Sequence, residues 1–444
     1  MTVDYLGVAR GIGARLADTA IWHEGRCNWL GVRVFGNGQA GFRETVAALG
    51  GDLYSGSSGV ALFLAELHAV AGGDAFAGTA MGAIEHALGR ADSAEDIGPG
   101  LYDGRLGIAL AAARIGMLVR DSQLLERAAD VADRAHRLAS ELGFDLLSGR
   151  AGGIVALLIL AKLLDDDGLM EHATKLGDEL IATVTEDGRY HPRSDVRARR
   201  PLTGLSHGAA GVGYALGELF HNTGDARYLH AAEAAFAYER AHFDPETRNW
   251  PDFRHDTGRR RGQVPPVFTT QWCHGAPGIG LTRLRAYRLR DDDSCLTEAV
   301  AAIATTRDAV AVSLAKPGAN YSLCHGLSGN AEVLLYAEES LGSEGAEHRA
   351  LAIRVAEHGI ERFAAPNRMW PCGTREGVTP NLMLGLAGIG HFYLRLHDST
   401  VPSVLLMRPE SFVGRAVIDG RVGEDPQPGW QRGDPEQSAS VTLR

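Results

Sequence analysis

The chain repeats one hydrophobic pattern seven times. Each copy opens with a short polar approach and Gly-x-x-Gly, then continues as a helix-like stretch that is apolar on nearly every side. The copies are GSSGVALFLAEL from Gly56, GRLGIALAAARI from Gly104, GRAGGIVALLIL from Gly149, GAAGVGYALGEL from Gly208, GAPGIGLTRLRA from Gly275, GLSGNAEVLLYA from Gly326 and GLAGIGHFYLRL from Gly385. Between them lie segments such as Leu124–Leu138, Tyr228–Ala241, Cys295–Val312 and Ala346–Phe363, whose apolar residues recur at three and four. That spacing marks a half-buried helix. Sustained period-two alternation, the mark of strands, is missing. The repeating unit is therefore a helix pair, one helix needing cover all round and one needing it on a single face. Seven such pairs predict an all-α fold, a double-layered α/α barrel (toroid) with the apolar helices inside. Glycine is the residue that lets loop backbone crowd together at one mouth of such a ring.

The pattern also divides the chain. Residues 1–51 form a segment expected to pack on the barrel, with Ile21–Phe35 ordered because it holds Trp22, Cys27 and Trp29. Residues 52–408 are the toroid. Residues 409–444, dense in Gly, Pro and charged residues over Gly423–Gln437, are expected to be a partly disordered tail.

Composition changes little in this picture: 45% hydrophobic and 22% charged residues describe an ordinary globular protein, although 56 glycines are many. A formal net charge of -11 makes nucleic acid an unfitting partner. The arginine-rich stretches Arg193–Arg200 and Arg259–Arg261 read as solvated loops. No signal peptide opens the sequence, and the apolar run Ile154–Ala161 is far short of the ~18 residues that span a membrane. A cytoplasmic location is expected. Five cysteines, Cys27, Cys273, Cys295, Cys324 and Cys372, then point to metal-binding or catalytic thiols before disulfides.

Chemistry emerges when the copies are aligned on their first glycine. The position two before it holds Tyr54, Tyr102, Leu147, Ser206, Cys273, Cys324 and Met383; the position one before it holds Ser55, Asp103, Ser148, His207, His274, His325 and Leu384. Consecutive repeats thus present Cys-His-Gly twice, after a Ser-His-Gly. Equivalent positions of a toroid face one mouth, so two thiols and their neighbouring imidazoles converge. Zinc selects such a set, and a catalytic zinc keeps one position open. Two thiolates plus one imidazole, from His274 or His325, would leave that position for a substrate. A thiolate-rich centre suits activating an incoming thiol better than splitting water.

These motifs resemble a family. Trp272-Cys-His-Gly-Ala-Pro-Gly278, Leu323-Cys-His-Gly326, Gly204-Leu-Ser-His-Gly208, Asp145-Leu-Leu-Ser-Gly149 and Asp52-Leu-Tyr-Ser-Gly56 are similar to the signatures of lanthionine synthetase C-like cyclases, from about Asp52 to Leu406. The likeness extends to the cyclase domain of class II lanthipeptide synthetases. It implies a double α-barrel, zinc ligands Cys273, Cys324 and His325, and proton transfer assisted by His207 and Asp145. It also implies addition of a peptide cysteine to dehydroalanine or dehydrobutyrine, giving a thioether. Some stand-alone members carry Tyr after the first zinc cysteine, where this chain has His274, and Arg four residues before it, where this chain has Thr269. His274 is accordingly the first candidate for steadying the enolate.

The expected substrate is a dehydrated precursor peptide. No phosphate-binding loop or nucleotide motif is present, so dehydration is expected from a separate dehydratase. Three rival readings stand beside this one. A prenyltransferase β-subunit would also activate a thiol on zinc in a toroid, but uses other ligand motifs. A family member adding glutathione to dehydrated proteins keeps the chemistry and changes the thiol. A non-catalytic scaffold would keep zinc as structure and the mouth as a peptide-binding surface.

Overall fold

The computed structural model describes residues 3–413 apart from 36–42, 94–96, 138–142, 187–188, 191–199, 256–265, 366 and 376. Arg259–Arg261, most of Arg193–Arg200 and Gly423–Gln437 therefore lie outside the described residues.

Fourteen α-helices are present among the described residues. After α1 (Tyr5–Asp18), they alternate as inner and outer members of a ring. The inner helices are α2 (Ser57–Ala71), α4 (Arg105–Val119), α6 (Arg150–Leu164), α8 (Ala209–Thr223), α10 (Ala276–Arg290), α12 (Leu327–Leu341) and α14 (Leu386–His397). The outer ones are α3 (Asp74–Ser93), α5 (Ser122–Arg137), α7 (Asp167–Val184), α9 (Ala226–Arg240), α11 (Asp293–Leu314) and α13 (Ala346–Phe363). Every inner helix starts directly after the first glycine of its repeat. In α6, Ala151 through Ala161 and Leu163 are all buried, whereas α5 buries Leu124, Ala128, Val131, Ala132 and Ala135 on one face.

The links are short and coded locally. Arg120, Asp165 and Asp291 end α4, α6 and α10 in the left-handed region (φ 59, 53 and 54°). Asp166, Asp225 and Asp292 cap the outer helices α7, α9 and α11 by accepting from Gly168 N, Arg227 N and Ser294 N. Such caps contribute about 1 kcal/mol each.

The ring closes twice over. At the mouth, backbone bonds link equivalent residues from repeat to repeat. Tyr54 N donates to Tyr102 O (2.8 Å), Tyr102 N to Leu147 O (2.9 Å), Leu147 N to Ser206 O (3.1 Å) and Ser206 N to Cys273 O (3.1 Å). Trp272 N, Cys324 N and Met383 N complete the circle by donating to Cys324 O, Met383 O and Tyr54 O, each at 3.0 Å. At the periphery, α1 packs along α14 as each outer helix packs along its inner partner. The seventh pair is thus made of the first and last helices.

The second glycine of each motif has a packing cause. A Cβ on Gly152 would stand 2.1 Å from Leu146 O and 2.9 Å from the Leu101 Cβ of the preceding repeat. Gly59, Gly107, Gly211, Gly278, Gly329 and Gly388 meet the corresponding carbonyl of their own repeat as closely.

The bore is filled. After α14 the chain turns back through Val401–Phe412, burying Val401, Val404, Leu405, Leu406, Met407 and Phe412. Its carbonyls accept from the ring: Val404 O from Tyr102 Oη (2.8 Å), Leu405 O from Trp272 Nε1 (2.9 Å), Met407 O from Tyr214 Oη (2.9 Å) and Phe412 O from Arg114 Nη1 (2.6 Å). Buried charges on the inner helices pair with one another, Arg114 with Glu66 and Arg285 with Glu218, and Arg285 also reaches the half-exposed Glu410 of the returning chain.

Among the described residues six short strands also occur, in three antiparallel hairpins that the apolar pattern gave no warning of. They are β1 (Ile21–His23) with β2 (Arg26–Asn28), β3 (Leu30–Phe35) with β4 (Arg43–Ala48), and β5 (Thr185–Glu186) with β6 (Arg189–Tyr190). Strands of two to six residues are too short to establish a period. No helix among the described residues is long and apolar enough to cross a membrane.

Candidate metal centre and proton-transfer pair

The ring of backbone bonds carries Cys273 and Cys324 on neighbouring repeats. Cys324 is buried and Cys273 partly exposed, and the two thiols stand close enough to perturb each other. The neighbouring Cys324 thiol, with the Arg254 and His207 charges, draws the Cys273 thiol below its ordinary pKa against burial. The Cys273 thiol and burial push Cys324 well up. Adjacent thiols that perturb each other in this way are a donor pair suited to a thiophilic metal. Tyr54, from an equivalent position of the ring, lies near enough to Cys324 and Cys273 for both to raise its own pKa, with burial the larger cause.

His325 is held by its far nitrogen: Nε2 lies 2.9 Å from Gly373 O. This leaves Nδ1 as the donor available to a metal, with the carbonyl fixing the tautomer. Donor chemistry therefore fits zinc: two thiols and one oriented imidazole. The three are not yet gathered, since no group of three His, Cys, Asp or Glu side chains stands at metal-holding distance among the described residues.

His207, just before α8, meets Asp145, just before α6: His207 Nδ1 and Asp145 Oδ2 are 2.8 Å apart. Asp145 Oδ1 accepts from Ser148 N (2.7 Å), which locks the carboxylate in its turn. Burial alone would lower the His207 pKa, but the Asp145 hydrogen bond and charge outweigh it and leave it raised. With Nδ1 bound to Asp145, Nε2 is the nitrogen free for proton exchange.

His274 stands in the wall, only 1% exposed. Its Nδ1 lies 3.2 Å from Thr203 O and its Nε2 3.5 Å from Ser206 Oγ. Burial, with the Arg254 charge, takes its pKa down to about 3. It touches His207 ring to ring at 6.0 Å.

The sequence profile of the family described as lanthionine synthetase C-like protein matches residues 47–406. The chain belongs to the lanthionine synthetase C-like family. Among curated proteins it is similar to the lacticin 481/lactococcin biosynthesis protein LcnDR2 of Lactococcus lactis subsp. lactis, 22% identical over 209 residues that make up 45% of this chain and 21% of the other. The chain thus spans a minor part of that relative. Among solved structures, nisin cyclase shares the fold with a TM-score of 0.59 at 18% identity, over 81% of this chain and 93% of the other. An α-mannanase of Bacteroides thetaiotaomicron overlaps at a TM-score of 0.48, with 12% identity, 88% of this chain and 95% of the other covered.

In this lanthionine synthetase C-like chain, the aligned repeats placed Cys273, Cys324 and His207 at one mouth, and Asp145, which the resemblance alone had supplied, meets His207 there. Two groups escaped sequence reasoning. Asp103 faces the mouth with Ser148 Oγ 2.6 Å from its carboxylate. Burial raises its pKa to about 6, opposed by Ser148 and helped by Asp145 and Asp52. It stands one before its glycine, where five of the other repeats show His or Ser and the last shows Leu384, and that was the available signal. Arg254 lies on a 3-10 turn, Phe253–His255, in the long link between α9 and α10. Only the unusual length of that link hinted at it. Beside the mouth, Tyr54, Asp103 and Leu147 border a cleft of about 520 Å³ that reaches Arg33, His86 and Arg90.

Proposed function

We propose that this chain is a zinc-dependent lanthipeptide cyclase, adding peptide cysteine thiolates to dehydroalanine or dehydrobutyrine to form lanthionine-type thioether rings. The observation that carries the reading is the meeting of the Cys273 and Cys324 thiols from consecutive repeats, in the same mouth as the His207–Asp145 pair. Family membership supports a cyclase-type activity. The substrate is a peptide already dehydrated elsewhere, and it enters at the open mouth, the opposite end of the bore being occupied by Val401–Phe412.

Cys273, Cys324 and His325 are the residues that would hold zinc. The bound metal would supply Lewis acidity that keeps an incoming thiol deprotonated and nucleophilic at neutral pH. His207 Nε2 takes the proton that the substrate thiol releases. Asp145 steadies the resulting imidazolium and fixes the ring by its bond to Nδ1. The substrate thiolate forms a carbon–sulfur bond at the β-carbon while the carbon–carbon π bond breaks. His207 then returns the proton to Cα, so the peptide leaves with its mass unchanged.

The test is incubation of zinc-loaded protein with a dehydrated peptide bearing free cysteines, then thiol alkylation and mass spectrometry. Loss of alkylatable thiol at constant mass is expected. Persisting thiols would refute the cyclase reading, and a mass gain equal to an added external thiol would replace it by intermolecular addition.

A further inference from the structure

The proposed reaction places negative charge that neither His207 nor His274 is placed to meet. As sulfur bonds to the β-carbon, the π electrons move through Cα onto the carbonyl oxygen of the former dehydroamino acid, and remain there until Cα takes the proton. Such an oxyanion calls for a fixed cation or donor. His274 is enclosed in the wall with both nitrogens near protein oxygens, and His207 is committed to the proton. We infer that Arg254 is the catalytic residue that stabilises this enolate oxygen, an inference that rests on the cyclase reading above.

Its placement is built by the surrounding chain. The segment before it is pinned to the loop of His207, since Thr203 Oγ1 donates to Pro251 O at 2.6 Å. It is pinned equally to the loop of Cys273: Pro251 pairs with Phe268, Asp252 N donates to Val267 O at 2.8 Å, and Asn249 Oδ1 accepts from Ala276 N at 2.9 Å. Arg254 thus rides on a platform wedged between the loops that bear the proton carrier and the first thiol. Its guanidinium is then aimed by a carboxylate. Asp252, buried at 4% exposure, receives Arg254 Nε at 3.0 and 3.2 Å and Nη2 at 2.6 Å. Among the described residues Nη1 has no protein partner, and the side chain keeps 41% of its exposure. A planar fork held along one edge and open along the other is suited to an oxygen that gains charge during a reaction. The field of this cation reaches both thiols, His207 and His274. A guanidinium already fixed on a buried aspartate needs no rearrangement at the moment charge develops, which is the condition for preorganised stabilisation.

The experiment compares wild type, Arg254→Gln, Arg254→Lys and Asp252→Asn, each loaded with zinc and matched for metal content and melting temperature. On a dehydrated peptide, Arg254→Gln is expected to lose about 10²–10³-fold in kcat with little change in KM. Arg254→Lys should regain part of that loss, and Asp252→Asn should fall between. A second readout needs no turnover. A peptide that ends in alanine at the position of the dehydroalanine offers a carboxylate oxygen on the carbon that bears the enolate oxygen, and calorimetry should find it bound more weakly by Arg254→Gln. Wild-type kcat in Arg254→Gln, or loss of zinc in that variant, overturns the inference while leaving the cyclase reading standing. Equal binding of this carboxylate-ended peptide by both proteins also overturns it. A wild-type protein that cyclises no dehydrated peptide defeats the cyclase reading and this inference with it.

Discussion

His207 and Asp145 touch across a repeat boundary: Nδ1 and Oδ2 are 2.8 Å apart, although 62 residues separate them in sequence. The pair sets the working range of the proton carrier. Replacing His207 with Ala should leave zinc bound and slow cyclisation about 10²–10⁴-fold. Metal analysis beside a rate assay checks this, and a metal-free His207→Ala protein would mean that the residue is a ligand.

The same pair predicts a direction in pH. Asp145 raises the His207 pKa against burial, so Asp145→Asn removes the raising influence and leaves the lowering one. The imidazolium then disappears at a lower pH, and the alkaline fall in kcat should move to lower pH than in wild type. In the folded protein the raised pKa adds stability that is complete below the unfolded histidine's pKa of about 6.5. That stability is lost as pH rises through the folded value. A pH–rate profile of the two proteins decides; an unmoved alkaline limb would show that another group sets it.

One zinc per chain is expected, and Cys273→Ala or Cys324→Ala should each abolish stoichiometric binding. Elemental analysis after dialysis against a chelator-free buffer provides the check. Full zinc content in Cys324→Ala would exclude the proposed ligand set. The melting temperature should change only modestly, because the helix pairs and the filled bore, not the metal, make up the core.

Glycines in the ring divide into two kinds that mutation should separate. Gly152→Ala drives a methyl to 2.1 Å from Leu146 O and should destabilise by about 1–3 kcal/mol. Gly217, in α8, has nothing within 4 Å of its Cβ position, and its change to Ala should be neutral or stabilising by up to about 1 kcal/mol. Denaturant midpoints measured on the two variants would test the contrast.

Val401–Phe412 supplies a part of the core that lies outside the repeats. Leu405→Ala, at a site 1% exposed, should cost about 2–5 kcal/mol. Ending the chain after Thr400 should prevent folding, while ending it after Val413 should preserve the melting temperature. Limited proteolysis and thermal melts of the two truncations are the measurements.

Much of this molecule was legible because repetition turns weak local signals into a register. Seven glycine pairs marked where the inner helices are entered, and aligning them placed Cys273, Cys324 and His207 at one mouth without any contact being known. What repetition cannot reach is whatever occurs once. Arg254 sits on a link with no counterpart in other repeats, and its role depends on a partner two residues away and on bonds to two distant loops. His274 occupies a position equivalent to His207, yet Thr203 O and Ser206 Oγ enclose it. Equivalent backbone sites do not impose equivalent side-chain environments. The filling of the bore was invisible for a related reason: Val404, Leu405 and Leu406 form a short apolar run with no periodicity to say what surrounds it.

Closing the ring with α1 against α14 has a consequence for synthesis. At elongation rates of roughly 5–20 residues per second, the partner of α1 emerges on the order of 20–75 s after it does. During that interval the face formed by Ala9, Ile12 and Leu16 has only nearby chain to cover it, and Trp29, whose Nε1 donates to Leu16 O at 2.8 Å, is the aromatic group at hand. A nascent chain stalled before Leu386 is an open arc with two adhesive ends, and two such arcs can satisfy each other. Ribosome-bound intermediates should therefore depend on chaperones, and slow translation over the last repeat should favour exchange of α1 between chains.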